Sequence, residues 1–180
     1  MRVRLVAGRF GGRFLEAPRS NRTHPMSERV RASLFNQLGD LTGQTVLDAF
    51  AGTGALGLEA LSRGAESVTL IERDKLAQKI LDENIETLDV QDQAKLIKSS
   101  VSAWTDTAKE QKFDLIFADP PYHDLQLSTV SKLVPYLQAN GLMILSFPGR
   151  ESAPTVNGVV VVDNRSYGDA ALAFYRLDRP

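Results

Sequence analysis

The 180-residue chain has no cysteine, one tryptophan and two histidines. Without cysteine there can be no disulfide and no thiolate-held zinc or iron–sulfur cluster. His24 and His123 alone make no metal site, so no metal is expected. No apolar run approaches the roughly 20 residues of a membrane span. The opening MRVRLVAGRFGG lacks the apolar core of a signal peptide. A cytoplasmic monomer with no membrane partner is the expectation. Lysine is absent only locally. Residues 1–40 hold eight arginines, no lysine and three carboxylates, a local charge of +5 in a chain of net −1. An all-arginine arm on an acidic body either meets a polyanion through forked phosphate contacts or forms a solvated face.

What is present is organised around Val46–Glu59, VLDAFAGTGALGLE. The short apolar run Thr45–Phe50, with Asp48 inside it, reads as a buried strand, the glycines Gly52, Gly54 and Gly57 as a turn, and Ala55–Arg63 as a helix. That order is the first unit of a nucleotide-binding α/β fold, with the helix start offered to an anionic group. The glycines alone do not choose between a nicotinamide cofactor and S-adenosylmethionine. Asp48 favours the second, because a carboxylate would repel a pyrophosphate but attract a cationic amino acid tail.

The remaining pattern predicts one domain over residues 1–180: a basic hairpin and helix over 1–40, and a cofactor-binding catalytic core over 41–180. Alternation over Arg2–Val6 and Arg13–Ala17 around Gly11–Gly12 reads as a β-hairpin displaying Arg4, Arg9 and Arg13. Pro18–Pro25 reads as a loop. Ser27 caps a helix running to Leu38 that carries Arg29 and Arg31. Beyond the glycine turn, strands are expected at Ser67–Glu72, Ala94–Lys98, Phe113–Ala118 and Leu142–Phe147. Helices are expected at Asp74–Leu88, Val101–Lys109 and Leu125–Val134, with Asn140–Gly141 as a turn. Val159–Asp163 and Ala170–Leu177 close the chain as consecutive strands. The fold class is therefore α/β, a mostly parallel seven-stranded Rossmann-like sheet with one antiparallel strand plus an N-terminal β-hairpin.

Two further stretches suggest chemistry. Glu72 ends the second core strand, where an acid can accept hydrogen bonds from both ribose hydroxyls of an adenosine. Ser100, after the third, could meet the adenine edge. Asp119-Pro120-Pro121-Tyr122 stands at a strand's carboxyl end, on the ligand side of such sheets. The Asp119 side chain and the Pro120 carbonyl present two acceptors, which suit an exocyclic NH₂ group, and Tyr122 supplies a ring for a planar base. Methyl transfer from a sulfonium to that nitrogen needs alignment more than a strong base.

On these residues the chain resembles a known family across nearly its whole length. DAFAGTGALGLEALSRGA with IERD is similar to the cofactor half of class I S-adenosylmethionine-dependent methyltransferases. DPPY is a form of the (N/D)PP(Y/F) motif of amino-methyltransferases acting on nucleic acid. GRFGGRFLEAP, RTHPMSERVRASLFNQL and YGDAALAFYRL narrow the resemblance to the RsmD family, which methylates N2 of a guanine in 16S ribosomal RNA. The resemblance implies that Asp48, Gly52, Gly54 and Glu72 hold the cofactor. It implies that Asp119, Pro120 and Tyr122 hold the base, and that the hairpin arginines with Arg29 and Arg31 contact ribosomal RNA or the small subunit. Two departures stand out: Ser100 replaces the usual Asn or Asp, and Ser146-Phe147-Pro148 replaces an acidic stretch. The rival readings are an adenine-N6 methyltransferase, a nicotinamide-dependent oxidoreductase and a non-enzymatic RNA-binding assembly factor.

Overall fold

The computed structural model describes residues 1–19 and 25–179; Arg22, His24 and most of the expected Pro18–Pro25 loop lie outside the described residues. Two short strands, β1 (Arg2–Arg4) and β2 (Phe14–Glu16), pair antiparallel as the expected hairpin. Helix α1 (Glu28–Leu38) follows. Its first free N–H groups are met by the Ser27 side chain, which accepts from the Val30 N–H at 3.2 Å. Such a cap is worth about 1 kcal/mol.

The core then alternates β3 (Thr45–Asp48), α2 (Ala55–Ser62), β4 (Ser67–Glu72), α3 (Lys75–Thr87), β5 (Ala94–Lys98), α4 (Val101–Thr107), β6 (Phe113–Ala118) and α5 (Leu127–Ser131). It closes with β7 (Leu137–Pro148), β8 (Val159–Tyr167) and β9 (Ala170–Leu177). The seven core strands form one sheet in the order β5-β4-β3-β6-β7-β9-β8. Only β9 runs against its neighbours, inserted between β7 and β8. Because β3 and β6 are adjacent and the chain winds outward from them both ways, the sheet's switch point lies between their carboxyl ends.

The central strands are apolar on both sides, as strands covered by helices on two faces must be. Val46, Leu70, Leu115, Phe117 and Ile144 pack on one face with α1, α2, α3 and the hairpin; the Phe35 and Phe117 rings lie 5.6 Å apart. Leu47, Ile71, Ile116, Met143 and Leu145 face α4 and α5, where Trp104 packs 4.7 Å from Tyr136. The hairpin is part of this packing, since Leu5 and Leu15 are fully buried in the first cluster.

Several expectations are corrected. Strand β3 stops at Asp48, two residues short of the expected Phe50, because the chain turns there into the glycine loop. Helix α5 covers only Leu127–Ser131, followed by a 3₁₀ turn at Val134–Tyr136. Ser131 turns its hydroxyl back onto the Ser128 carbonyl at 2.7 Å, a local bond that competes with helix propagation. Asn140–Gly141 makes no turn before a strand but lies inside β7, where the pairing with β6 slips between Phe113 and Leu115. A side chain at Gly141 would press on the Gln138 and Asp114 carbonyls at 3.0 and 3.1 Å, so the slip needs glycine. Strand β8 runs four residues past the expected Asp163, carried over a bulge between Val161 and Asp163.

Candidate active site

The glycine loop leaves β3 and is pinned at once to the strands on either side. Ala49 N–H donates to the Phe117 carbonyl at 3.0 Å and Ala51 N–H to the Ile71 carbonyl at 2.9 Å. Gly52 and Gly54 then take φ of +55° and +83°, a region that penalises any side chain. At Gly52 a Cβ would meet nothing within 4 Å, so the loop there faces open space. Gly57 serves packing: a Cβ would come within 2.8 Å of Val68 and Leu70, and its absence lets α2 lie against β4.

Two carboxylates organise this loop. Glu72 accepts from the Gly52 N–H at 2.9 Å through one oxygen and from the Asp74 N–H at 2.7 Å through the other. A carboxylate has about four lone-pair positions, so two remain for a ligand's hydroxyls. Asp48 is 1 % exposed; its Oδ2 accepts from the Gly57 N–H at 2.9 Å, while its buried Oδ1 has no donor. Burial, with the charges of Asp119 and Glu72 nearby, pushes the Asp48 carboxyl up to about 7. Ser100 is the N-cap of α4, accepting from the Ala103 N–H at 3.1 Å, so its hydroxyl already has structural work.

The Asp119–Tyr122 stretch follows β6 on the other side of the switch point. Desolvation raises the Asp119 carboxyl to about 6, with the Ser146 hydroxyl pulling it back down. Pro120 is buried, whereas Tyr122 leaves 40 % of its surface exposed and is bonded to the Ser146 hydroxyl at 2.7 Å. Three carboxyl groups and one exposed ring thus converge on the carboxyl ends of β3, β4 and β6. The described residues hold no group of three or more metal ligands. An orphaned carboxylate oxygen, two further carboxyls and a loop open at Gly52 fit a ligand with a cationic amino acid end and a dihydroxy sugar. They do not fit a pyrophosphate.

The arm is anchored by residues that no local pattern singles out. Glu59 is fully buried in α2 and accepts from the Val6 and Ala7 N–H groups at 2.8 and 3.2 Å and from Arg63 Nε at 3.0 Å. Asn84 in α3 bonds the Glu16 backbone in both directions, at 2.9 and 3.0 Å. A charged residue inside the apolar run ALGLEALS was the one available signal for Glu59. The arginines divide. Arg4 pairs with Glu28, Arg9 reaches Gln93 at 3.1 Å and lies over the Phe10 ring, and Arg13 reaches the Thr87 carbonyl at 3.0 Å; Arg29 is exposed. Arg31 corrects an expectation: it is 1 % exposed, donates to the Arg4 carbonyl at 2.7 Å, and belongs to the interior rather than to a binding face.

Residues 3–176 match the family described as conserved hypothetical protein 95. The "Putative rRNA methyltransferase YlbH" of Bacillus subtilis is 32 % identical over 181 residues, covering 97 % of this chain and 98 % of that protein. The "Ribosomal RNA small subunit methyltransferase D" of Haemophilus influenzae is 41 % identical over 124 residues, covering 67 % of this chain and 64 % of its own length. Among solved structures, the "Putative methyltransferase yhhF from Escherichia coli" superposes with a TM-score of 0.87 at 31 % identity, over 100 % of both chains. A match over nearly the whole length, on a methyltransferase-type sheet with its glycine loop and Asp-Pro-Pro-Tyr stretch in place, shows that the chain belongs to this family, the RsmD-type methyltransferases.

Proposed function

We propose that the chain transfers a methyl group from S-adenosylmethionine to the exocyclic N2 amine of a guanine in small-subunit ribosomal RNA. The observation that carries the reading is the cluster of Asp48, Glu72 and Asp119 around the switch point. Among the described residues no cation balances it, and one buried oxygen of Asp48 has no donor. S-adenosylmethionine, when bound, supplies a positively charged centre and a methyl group already activated for transfer. Asp48 attracts its cationic end, Glu72 accepts from the ribose hydroxyls, and Gly52 lets the backbone come close, whereas Gly54, expected to do the same, makes room instead for the Leu81 and Leu58 side chains.

Asp119 and the Pro120 carbonyl take the two hydrogens of the amine, which aims its lone pair along one line. Tyr122 gives the base a face to stack on. Asp119 works best ionised, because a protonated carboxyl accepts less well, and it can take the proton that the methylated amine gives up. Arg4, Arg9, Arg13 and Arg29 supply phosphate contacts; Arg9 and Arg13 do so from the far ends of α2 and α3, at the opposite edge of the sheet from the reacting groups. The names of the Haemophilus influenzae and Bacillus subtilis relatives support ribosomal RNA as substrate, and the RsmD family supports N2 of guanine.

Nucleoside mass spectrometry of ribosomal RNA from cells lacking the gene tests this directly. Loss of N2-methylguanosine at one small-subunit position, restored by the wild-type gene and not by Asp119→Ala, is the expected result. A missing N6-methyladenosine with unchanged guanosine would transfer the reading to an adenine substrate.

A further inference from the structure

Ser146 stands alone as a polar residue in an otherwise apolar stretch of β7, between Leu145 and Phe147, both fully buried. It is itself only 2 % exposed. A buried hydroxyl without partners costs free energy, so its bonds are the reason it can be there. Parallel pairing of Ala118 with Leu145 brings the next residues, Asp119 and Ser146, level with one another at the end of β6 and β7. Its second neighbour is the Tyr122 phenol at 2.7 Å, arriving from the far end of the Asp-Pro-Pro-Tyr stretch.

A serine hydroxyl has one hydrogen to give and lone pairs to accept with. An ionised Asp119 can only accept, so a Ser146 hydroxyl turned toward it leaves the Tyr122 phenol as the donor in the Tyr122–Ser146 pair. We propose that Ser146 is a positioning residue of the methyl-transfer site. It couples the ring on which the base stacks to the carboxylate that holds the amine, so that both are set before the base arrives. This rests on the methyl-transfer reading above. It also gives the departure at Ser146-Phe147-Pro148 a role: the strand end that lines the site orders it with a neutral hydroxyl and adds no further negative charge to three neighbouring carboxyls.

The test compares wild type, Ser146→Ala, Tyr122→Phe and the double variant in steady-state methyl transfer to small-subunit ribosomal RNA across pH. The Tyr122 ring is followed in parallel in the free protein by NMR of Cζ-labelled tyrosine. Ser146→Ala is expected to lower kcat roughly 10- to 100-fold, the scale of one hydrogen bond to a charged group. The KM for S-adenosylmethionine should hold, and the acidic limb of the pH profile should move to higher pH, because Asp119 loses a donor that favours its ionised form. The double variant should be no slower than the slower single one, and the Tyr122 resonance should shift in Ser146→Ala. An unmoved acidic limb, additive losses or an unshifted resonance would overturn the proposal. If wild type methylates no ribosomal RNA, the parent reading fails and takes the positioning role with it, whereas a resonance shift would still show that the Tyr122–Ser146 bond exists.

Discussion

The two charged regions of this molecule are built on opposite terms. In the arm most of the described arginines are already engaged, by a carboxylate, a carbonyl, an amide or an aromatic ring. At the switch point three carboxyl groups gather with no cation among the described residues, and one oxygen of Asp48 is buried without a donor. The arm's partners are mostly exposed, and exposed pairs of this kind are worth about 1 kcal/mol or less, so a stronger polyanion can displace them. The carboxyl cluster cannot relax in that way, because Asp48 and Glu72 are held by the backbone N–H groups of Gly57, Gly52 and Asp74. One region is arranged to exchange partners; the other waits for a charge of the right sign.

The sharpest way to break that contrast is at Asp119. Asp119→Ala should lower methyl transfer by roughly 100- to 1,000-fold, the scale on which a positioned polar group acts in a transition state. S-adenosylmethionine affinity should stay within about threefold of wild type, because Asp48 and Glu72 are untouched. Single-turnover transfer assays beside calorimetric titration of the cofactor separate the two. Equal losses in both would mean that Asp119 belongs to the cofactor site and that the two halves are not distinct.

Asp48 sets the next largest effect and has a sign that can be worked out. Its carboxyl is raised to about 7 in the fold, well above the usual carboxylate value, so between about pH 4 and 7 the native state holds a proton that the unfolded chain has released. Stability contributed by that proton is lost as pH rises through the window, and Asp119, raised to about 6, adds in the same direction. The free protein should therefore melt lower at pH 8 than at pH 5, and the cofactor's positive charge should flatten the difference. Asp48→Asn should raise the melting temperature at pH 8 while weakening S-adenosylmethionine about 10- to 100-fold. A free protein that melts at the same temperature across this range would show that the cluster is solvated.

Much of this was legible in the sequence, for reasons that differ by residue. Strand, glycine turn and helix over Val46–Glu59 are dictated by local rules, and β9 with its bounds Ala170–Leu177 follows from a continuous apolar run. Helix α5 was overestimated, because periodicity counts Leu127 and Val130 but not the hydroxyl of Ser131 competing for the backbone. Asn140–Gly141 carries a strong turn signal that the neighbouring strand overrides by absorbing it as a bulge. Glu59 and Asn84 act across 50 or more residues of chain, which no window of local pattern reports. Arg31 looked like one more arm arginine, since sequence shows charge but not which side of a helix faces the core.

That last case supplies the finest test of the contrast, because it asks whether the arm's charge or its exposed charge matters. Arg31 has two buried nitrogens without partners, and its guanidinium is already destabilised by burial. Arg31→Met removes a full positive charge from the arm while keeping most of the side chain's length, and trading such a group for an apolar one is close to neutral for stability. RNA affinity should change less than twofold and the slope of log affinity against log salt should stay put. Arg9→Ala or Arg13→Ala removes the same formal charge from an exposed position, so each should weaken binding severalfold and reduce the slope by up to about one. Filter-binding titrations at four salt concentrations would resolve the difference. Equal slopes for Arg31→Met and Arg9→Ala would mean that the arm acts as a diffuse field, and the division between engaged and interior arginines would have no bearing on binding.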